Sequence, residues 1–143
     1  MDSFKDRQAV GLFVFSYLGF LTHVALEALM LHFSRELVDA QDWEVIVEQM
    51  TTPSTEWTMV GFSVLTLLPV FLSILARPGG GLWKVTAILG GLMTILHALH
   101  YVGELSEHFG AVGLASLVFH VLPSAWASWL AWQCSKGEAA TDV

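Results

Sequence analysis

The sequence predicts an all-α membrane protein, a bundle of four transmembrane helices. Three observations lead there. Of 143 residues, 55% are hydrophobic and only 13% charged, with a mean hydropathy of +0.62. A soluble domain carries about 25% charged residues and needs them to cover its core. Four apolar stretches, roughly 9–33, 57–76, 82–105 and 111–132, each approach or exceed the ~20 residues a helix needs to cross a ~30 Å hydrocarbon layer. Period-two alternation is absent, which argues against a membrane barrel. The same figures argue against a free soluble enzyme or a disordered tail. Six Lys+Arg against 13 Asp+Glu leave no basic footprint for nucleic acid. The lone Cys134 allows no intrachain disulfide and no thiolate metal cage.

The first stretch, 9–33, is too long for a signal-peptide core and carries Glu27, so it reads as a retained helix. The connection 34–56 holds six of the 13 acidic residues. Within it Trp43, Ile46, Val47 and Met50 recur at helical spacing, with Asp42, Glu44 and Glu48 between them. That pattern predicts a short amphipathic helix over 39–50, lying on the outer membrane surface as a candidate lid. The second stretch, 57–76, contains Pro69. Arg77-Pro-Gly-Gly-Gly81 then forms a tight turn into the third, 82–105. Residues 106–110 turn into the fourth, 111–132, which contains Pro123. Both prolines are expected to kink their helices and free a carbonyl.

The basic residues set the orientation. Lys5 and Arg7 precede the first helix, Arg77 and Lys84 flank the second turn, and Lys136 follows the fourth helix. Arg35 alone lies on the other side. By the positive-inside rule this is a multi-pass protein with both ends of the chain cytoplasmic and the 34–56 connection outside. Trp57 marks the outer edge, and Trp83, Trp129 and Trp132 the inner one. A short internal repeat pairs His23-x3-Glu27-x4-His32-Phe33 with His100-x3-Glu104-x3-His108-Phe109. It suggests two pseudo-repeated helix hairpins about a twofold along the membrane normal.

Ionisable groups inside hydrocarbon are costly, and those retained mark a cavity or a partner. On the third helix His97, His100, Glu104 and His108 fall within about 80° of one another at ~100° per residue. His23 and Glu27 lie one turn apart on the first helix, and His120 stands alone on the fourth. Counted from the outer ends at ~1.5 Å per residue, His23, His97 and His120 share one depth in the outer half of the bilayer. Glu27, His100 and Glu104 form a shallower layer, with His32 and His108 near the surface.

Imidazole with carboxylate is the donor set of transition-metal sites, which helix bundles build from inward-facing side chains. The expected ligands are His23, His97, His100 and His120, with Glu27 and Glu104 as ligand, outer partner or proton acceptor. The metal would be copper, iron or zinc. The His-x3-Glu spacing and the excess of imidazole depart from di-iron carboxylate sites. Haem b is the other expected cofactor, clamped between two histidines, with Gly19, Gly90, Gly113 and Ser116 offering small neighbours. Electron transfer, oxidation or metal handling would follow, in a chain that serves as a subunit of a larger membrane complex or as a homodimer. A cofactor-free ladder of His and Glu could instead relay protons or hold a cationic intermediate. In the structural alternative the histidines only tie helices together.

Three short segments carry a family resemblance. They are Gly19-Phe-Leu-Thr-His23-Val-Ala-Leu-Glu27, Tyr101-Val-Gly-Glu104-Leu and Phe119-His-Val-Leu-Pro123-Ser. In this order, over roughly 20–135, they resemble the EXPERA group of membrane proteins, the emopamil-binding sterol isomerases and their relatives. The resemblance implies a four-helix core and acid–base isomerisation of a sterol double bond through a carbocation, with His23 and Glu27 in a lipid-facing pocket and Glu27 and Glu104 as candidate catalytic acids. Those isomerases also use an acid in their second core helix, where residues 58–76 here have none.

Overall fold

The computed structural model describes residues 4–34, 53–76, 81–105 and 110–138. These form helices alone. α1 spans Phe4–Ser34, α2 Pro53–Leu75 and α3 Gly81–Glu104. The last helix runs in three consecutive segments: α4, Gly110–Ser116; a π-helical turn, Leu117–Val121; and α5, Leu122–Glu138. α1 begins earlier than the apolar stretch, taking in the polar Lys5-Asp-Arg-Gln8, and its 31 residues at ~1.5 Å each reach about 46 Å. Pro53 opens α2, where a missing N–H costs nothing.

Among the described residues, three helical segments are long and apolar enough to cross a membrane: Phe4–Leu29, Gly81–Gly103 and Gly110–Gly137. α2 adds a shorter apolar segment, Val60–Leu75. Their outer faces carry large apolar side chains open to the surroundings, among them Leu99, Leu122 and Ile95, each at least 60% exposed. Water would not tolerate so much exposed hydrocarbon and lipid does, so the chain is a membrane protein. At the end of the last span the Lys136 ammonium sits 5.5 Å above the Trp132 ring, as a snorkelling lysine at a membrane edge does.

Neighbouring helices run in opposite directions. Ala9 and Phe13 near the start of α1 pack with Val70 and Ala76 at the end of α2, with Trp83 and Ala87 at the start of α3, and with Ala127, Leu130, Ala131 and Cys134 of α5. This end of the bundle is built mainly from small apolar residues around the Phe13 and Trp83 rings, and the hydroxyls buried there, Ser73, Thr86 and Ser128, are bonded to carbonyls of their own helices. Two glycines permit the close approach. A Cβ on Gly90 would lie 2.5 Å from Ser128 Oγ and 2.7 Å from the Phe13 ring, and one on Gly19 would lie 2.4 Å from the Phe119 carbonyl oxygen. Both are filled by neighbouring chain, so helix packing accounts for them.

The π turn explains how Gly19 meets a carbonyl. Pro123 has no N–H to return to Phe119, four residues earlier. The helix slips register there, with the Leu122 N–H reaching back five residues to the Leu117 carbonyl. α1 lies against the disturbed turn at Gly19, where no side chain intervenes. The expected surface helix over 39–50, the turn at 77–80 and His108 lie outside the described residues, as does the side chain of Glu104.

Candidate functional site

Most hydroxyls in these helices satisfy themselves one turn back. Thr22 donates to the Leu18 carbonyl at 2.9 Å, Thr86 to Leu82 at 2.7 Å and Ser128 to Ser124 at 2.7 Å. That is the default for Ser and Thr in membrane helices. At the other end of the bundle the pattern changes. Ser16, Thr66 and Ser116 meet imidazoles from other helices, and Tyr101 lies among them.

Two of these pairings have a sense fixed by a backbone carbonyl. The His120 Nδ1–H donates to the Ser16 carbonyl at 2.7 Å, because a carbonyl can only accept, with Ser16 Oγ 2.8 Å from the same nitrogen. The Ser16 hydroxyl in turn donates to the His120 carbonyl at 2.9 Å. The two residues therefore clamp α1 to the π turn. The His97 Nδ1–H donates to the Met93 carbonyl at 2.8 Å, which leaves Nε2 facing Thr66 Oγ1 at 3.2 Å. The Thr66 hydroxyl also reaches the Phe62 carbonyl at 2.7 Å, and its single proton serves one of the two at a time.

His23 differs from both. Its Nε2 lies 3.3 Å from Glu27 Oε2, and its Nδ1 lies 2.8 Å from Ser116 Oγ. The carboxylate's charge favours the proton on Nε2, and in that tautomer Nδ1 accepts from the Ser116 hydroxyl. The Glu27 contact is an ion-pair distance and does not have hydrogen-bond geometry. His23 is 3% exposed, whereas the Glu27 carboxylate is partly open.

These side chains form one layer. Tyr101 is fully buried at its centre. Its ring centre is 4.5 Å from that of His23, 5.8 Å from His97, 5.8 Å from His120 and 5.3 Å from His100. His97 and His120 touch edge to face at 4.5 Å. Phe20 packs on both, at 5.4 and 5.6 Å. The three histidines expected at one depth are thus all buried and brought together from three helices. His100 lies beside them, 6.0 Å from His23, but on an exposed face. His32 is exposed near the end of α1. Glu104 closes α3 in sequence.

The layer opens on one side. A cleft of about 210 Å³ lies between α1 and the last helix. Phe15, Leu18, Leu26 and Phe119 form apolar walls, with Gly19, Thr22 and Ala115 between them. His23 and Ser116, each under 5% exposed, supply buried polar groups to it. Its wall residues belong to the same exposed apolar surface that faces lipid.

Among the described residues, no three His, Cys, Asp or Glu side chains converge where they could hold a metal ion. The sequence reading overlooked Tyr101, Ser16 and Thr66 as parts of this layer. For Tyr101 a signal existed: it lies four residues after His97, on the same helical face. The chain matches no protein-family model, no curated protein and no solved structure, so the reading of function rests on this geometry.

Proposed function

We propose that the chain is a four-helix integral membrane protein whose His23–Glu27 pair is an acid–base site in a lipid-facing cleft, acting on an apolar molecule that enters sideways from the bilayer. The observation that supports this best is a buried imidazole, held between a carboxylate and a hydroxyl, beneath apolar walls. Apolar pockets with a few convergent polar groups are where small molecules bind. A cavity of about 150 Å³ already admits benzene. A histidine that is fixed in tautomer and faces a substrate can take and return a proton. Isomerisation of a lipid or sterol double bond, as the EXPERA resemblance implies, is one form of this chemistry. In this reading α2 supplies the fourth span, and the five-to-one division of basic residues puts both chain ends on the cytoplasmic side.

The test is to fill the cleft. Wild-type protein should release an apolar molecule on organic extraction, seen by mass spectrometry, and Ala115→Phe should lose it while melting normally. Retention of the same molecules in the same amounts by Ala115→Phe overturns the proposal.

Binding of copper, iron, zinc or haem is a second reading, and one observation favours it. His97 and His120 each give Nδ1–H to a backbone carbonyl. Metal-bound imidazoles are held that way, leaving Nε2 for the metal. A haem iron clamped axially, with metal–nitrogen bonds of about 2 Å, needs ring centres about 6 Å apart, so at 4.5 Å the two rings must separate to admit it. Elemental and visible-spectral analysis of the purified chain separates the cases. A stoichiometric metal or a Soret band lost in His97→Ala supports this reading, and substoichiometric metal without a Soret band overturns it.

A further inference from the structure

The hydroxyl beside His23 is placed as a nucleophile is placed. Ser116 sits at the end of α4, immediately before the π turn, and lines the same cleft as His23. Several of its helical neighbours donate to the carbonyl one turn back. The Ser116 hydroxyl oxygen instead lies 2.8 Å from His23 Nδ1, and with the ring proton on Nε2 it donates to that nitrogen. The opposite ring nitrogen, Nε2, lies 3.3 Å from the Glu27 carboxylate, an ion-pair distance outside hydrogen-bond geometry, and the carboxylate's charge favours the proton on that side. Hydroxyl, imidazole and carboxylate thus stand in series, with the base between the group it would deprotonate and the group that orients it. This relation defines an activated serine wherever it occurs, whatever the fold. The ring is used in the reverse sense to the serine proteases, with Nδ1 toward the serine and Nε2 toward the acid.

We propose that Ser116, His23 and Glu27 form a serine acyl-transfer site acting on an ester of the bilayer. The proposal rests on the lipid-facing cleft described above and names its substrate class. The walls fix that class: the cleft opens on the apolar face of membrane-crossing helices, so its occupant is an acyl chain, and an ester carbonyl is the electrophile a lipid carries. In the first step Ser116 Oγ bonds to the carbonyl carbon and its proton passes to His23 Nδ1. The carbon–oxygen bond to the alcohol then breaks, and that proton leaves with the alkoxide. Water attacks the acyl-serine by the same route, which releases the acid and restores the hydroxyl. Ester and water become acid and alcohol, with no oxidant or reductant. Glu27 is the positioning residue. It holds the proton on Nε2 and stabilises the imidazolium.

An alkyl fluorophosphonate, whose fluoride leaves as a serine oxygen bonds to phosphorus, tests this on the full chain in lipid nanodiscs. Wild-type protein should acquire one phosphonyl group, mapped by mass spectrometry to Ser116. Ser116→Ala should fall to background. His23→Gln should label about 10²-fold more slowly or worse, the range general-base catalysis contributes. No labelling of wild-type Ser116 above background overturns the proposal, even if Ser116→Ala fails to fold. A diazirine fatty acid applied to the same samples separates this from the broader reading. Crosslinks to the cleft walls without phosphonylation remove the acyl transfer and leave the binding site. Absence of both removes both.

Discussion

The two ends of this bundle use the same four helices and fill the space between them in opposite ways. At one end small residues, Ala9, Ala87, Ala127 and Ala131, let the helices close around Phe13 and Trp83. At the other, Tyr101 lies among three buried imidazoles held by Ser16, Thr66, Ser116 and backbone carbonyls. In lipid the hydrophobic effect does not drive helices together, so packing must. The apolar end supplies that packing. The polar end adds hydrogen bonds, but such bonds average about 0.6 kcal/mol in membrane helices, a small return for burying so many polar groups. The contrast assigns stability mainly to the first end, and the proposed chemistry belongs to the second.

Trp83→Ala should break the comparison most severely. Trp83 is 1% exposed, and its loss opens the largest void in the apolar end. A cost of about 3–5 kcal/mol is expected, read by SDS titration of tryptophan fluorescence. If His120→Ala cost more, the polar end would carry the fold and the division would fail. Gly19→Ala comes next. Its new Cβ meets the backbone oxygen of Phe119, which cannot step aside, so about 1–3 kcal/mol is expected for overpacking. Gly90→Ala should cost less, because the Ser128 hydroxyl and the Phe13 ring it meets can rotate. The same titration ranks the two.

Ser16→Ala sharpens the comparison from the other side. It removes the donor to the His120 carbonyl and one acceptor for the imidazole, while the Ser16 carbonyl still holds Nδ1. About 0.6–1.7 kcal/mol is expected, the range for hydrogen bonds between membrane helices. A loss as large as that of Trp83→Ala would show the clamp to be essential for folding.

Particular residues show what could be read before the structure. His23, His97 and His120 were placed at one depth by helix rise alone, because a span fixes both the start and the pitch of the count. Helical pitch groups His100 with His97 on one broad face, but three residues turn a helix by about 300°, and that offset is enough to leave His100 exposed. Pro123 announced a disturbed helix without saying of which kind. A kink and a π turn follow equally from a missing N–H, and the choice depends on α1 arriving at Gly19. The hydroxyl pairings were hidden for a similar reason. Ser116 and Thr22 look alike in sequence, and only the position of His23 decides that one donates across helices and the other along its own.

Glu27→Gln has the smallest expected effect on stability and bears most directly on chemistry. The carboxylate is partly exposed and 3.3 Å from the ring, so its contribution to stability is screened and should be within about 0.5 kcal/mol. The substitution keeps shape and removes charge. A Gln amide can donate to His23 Nε2 as readily as it accepts from it, so the bias that keeps the proton on Nε2 is lost and the tautomer with the proton on Nδ1 becomes populated. From there it donates to Ser116 Oγ, so the 2.8 Å contact survives with its sense reversed. Ser116 would lose its base while no helix moves. Unchanged melting together with a sharp fall in phosphonylation is therefore the expected pair of results. Equal labelling of Glu27→Gln and wild-type protein would show that Glu27 does not set the tautomer of His23, and the polar end would then need another source for its activity.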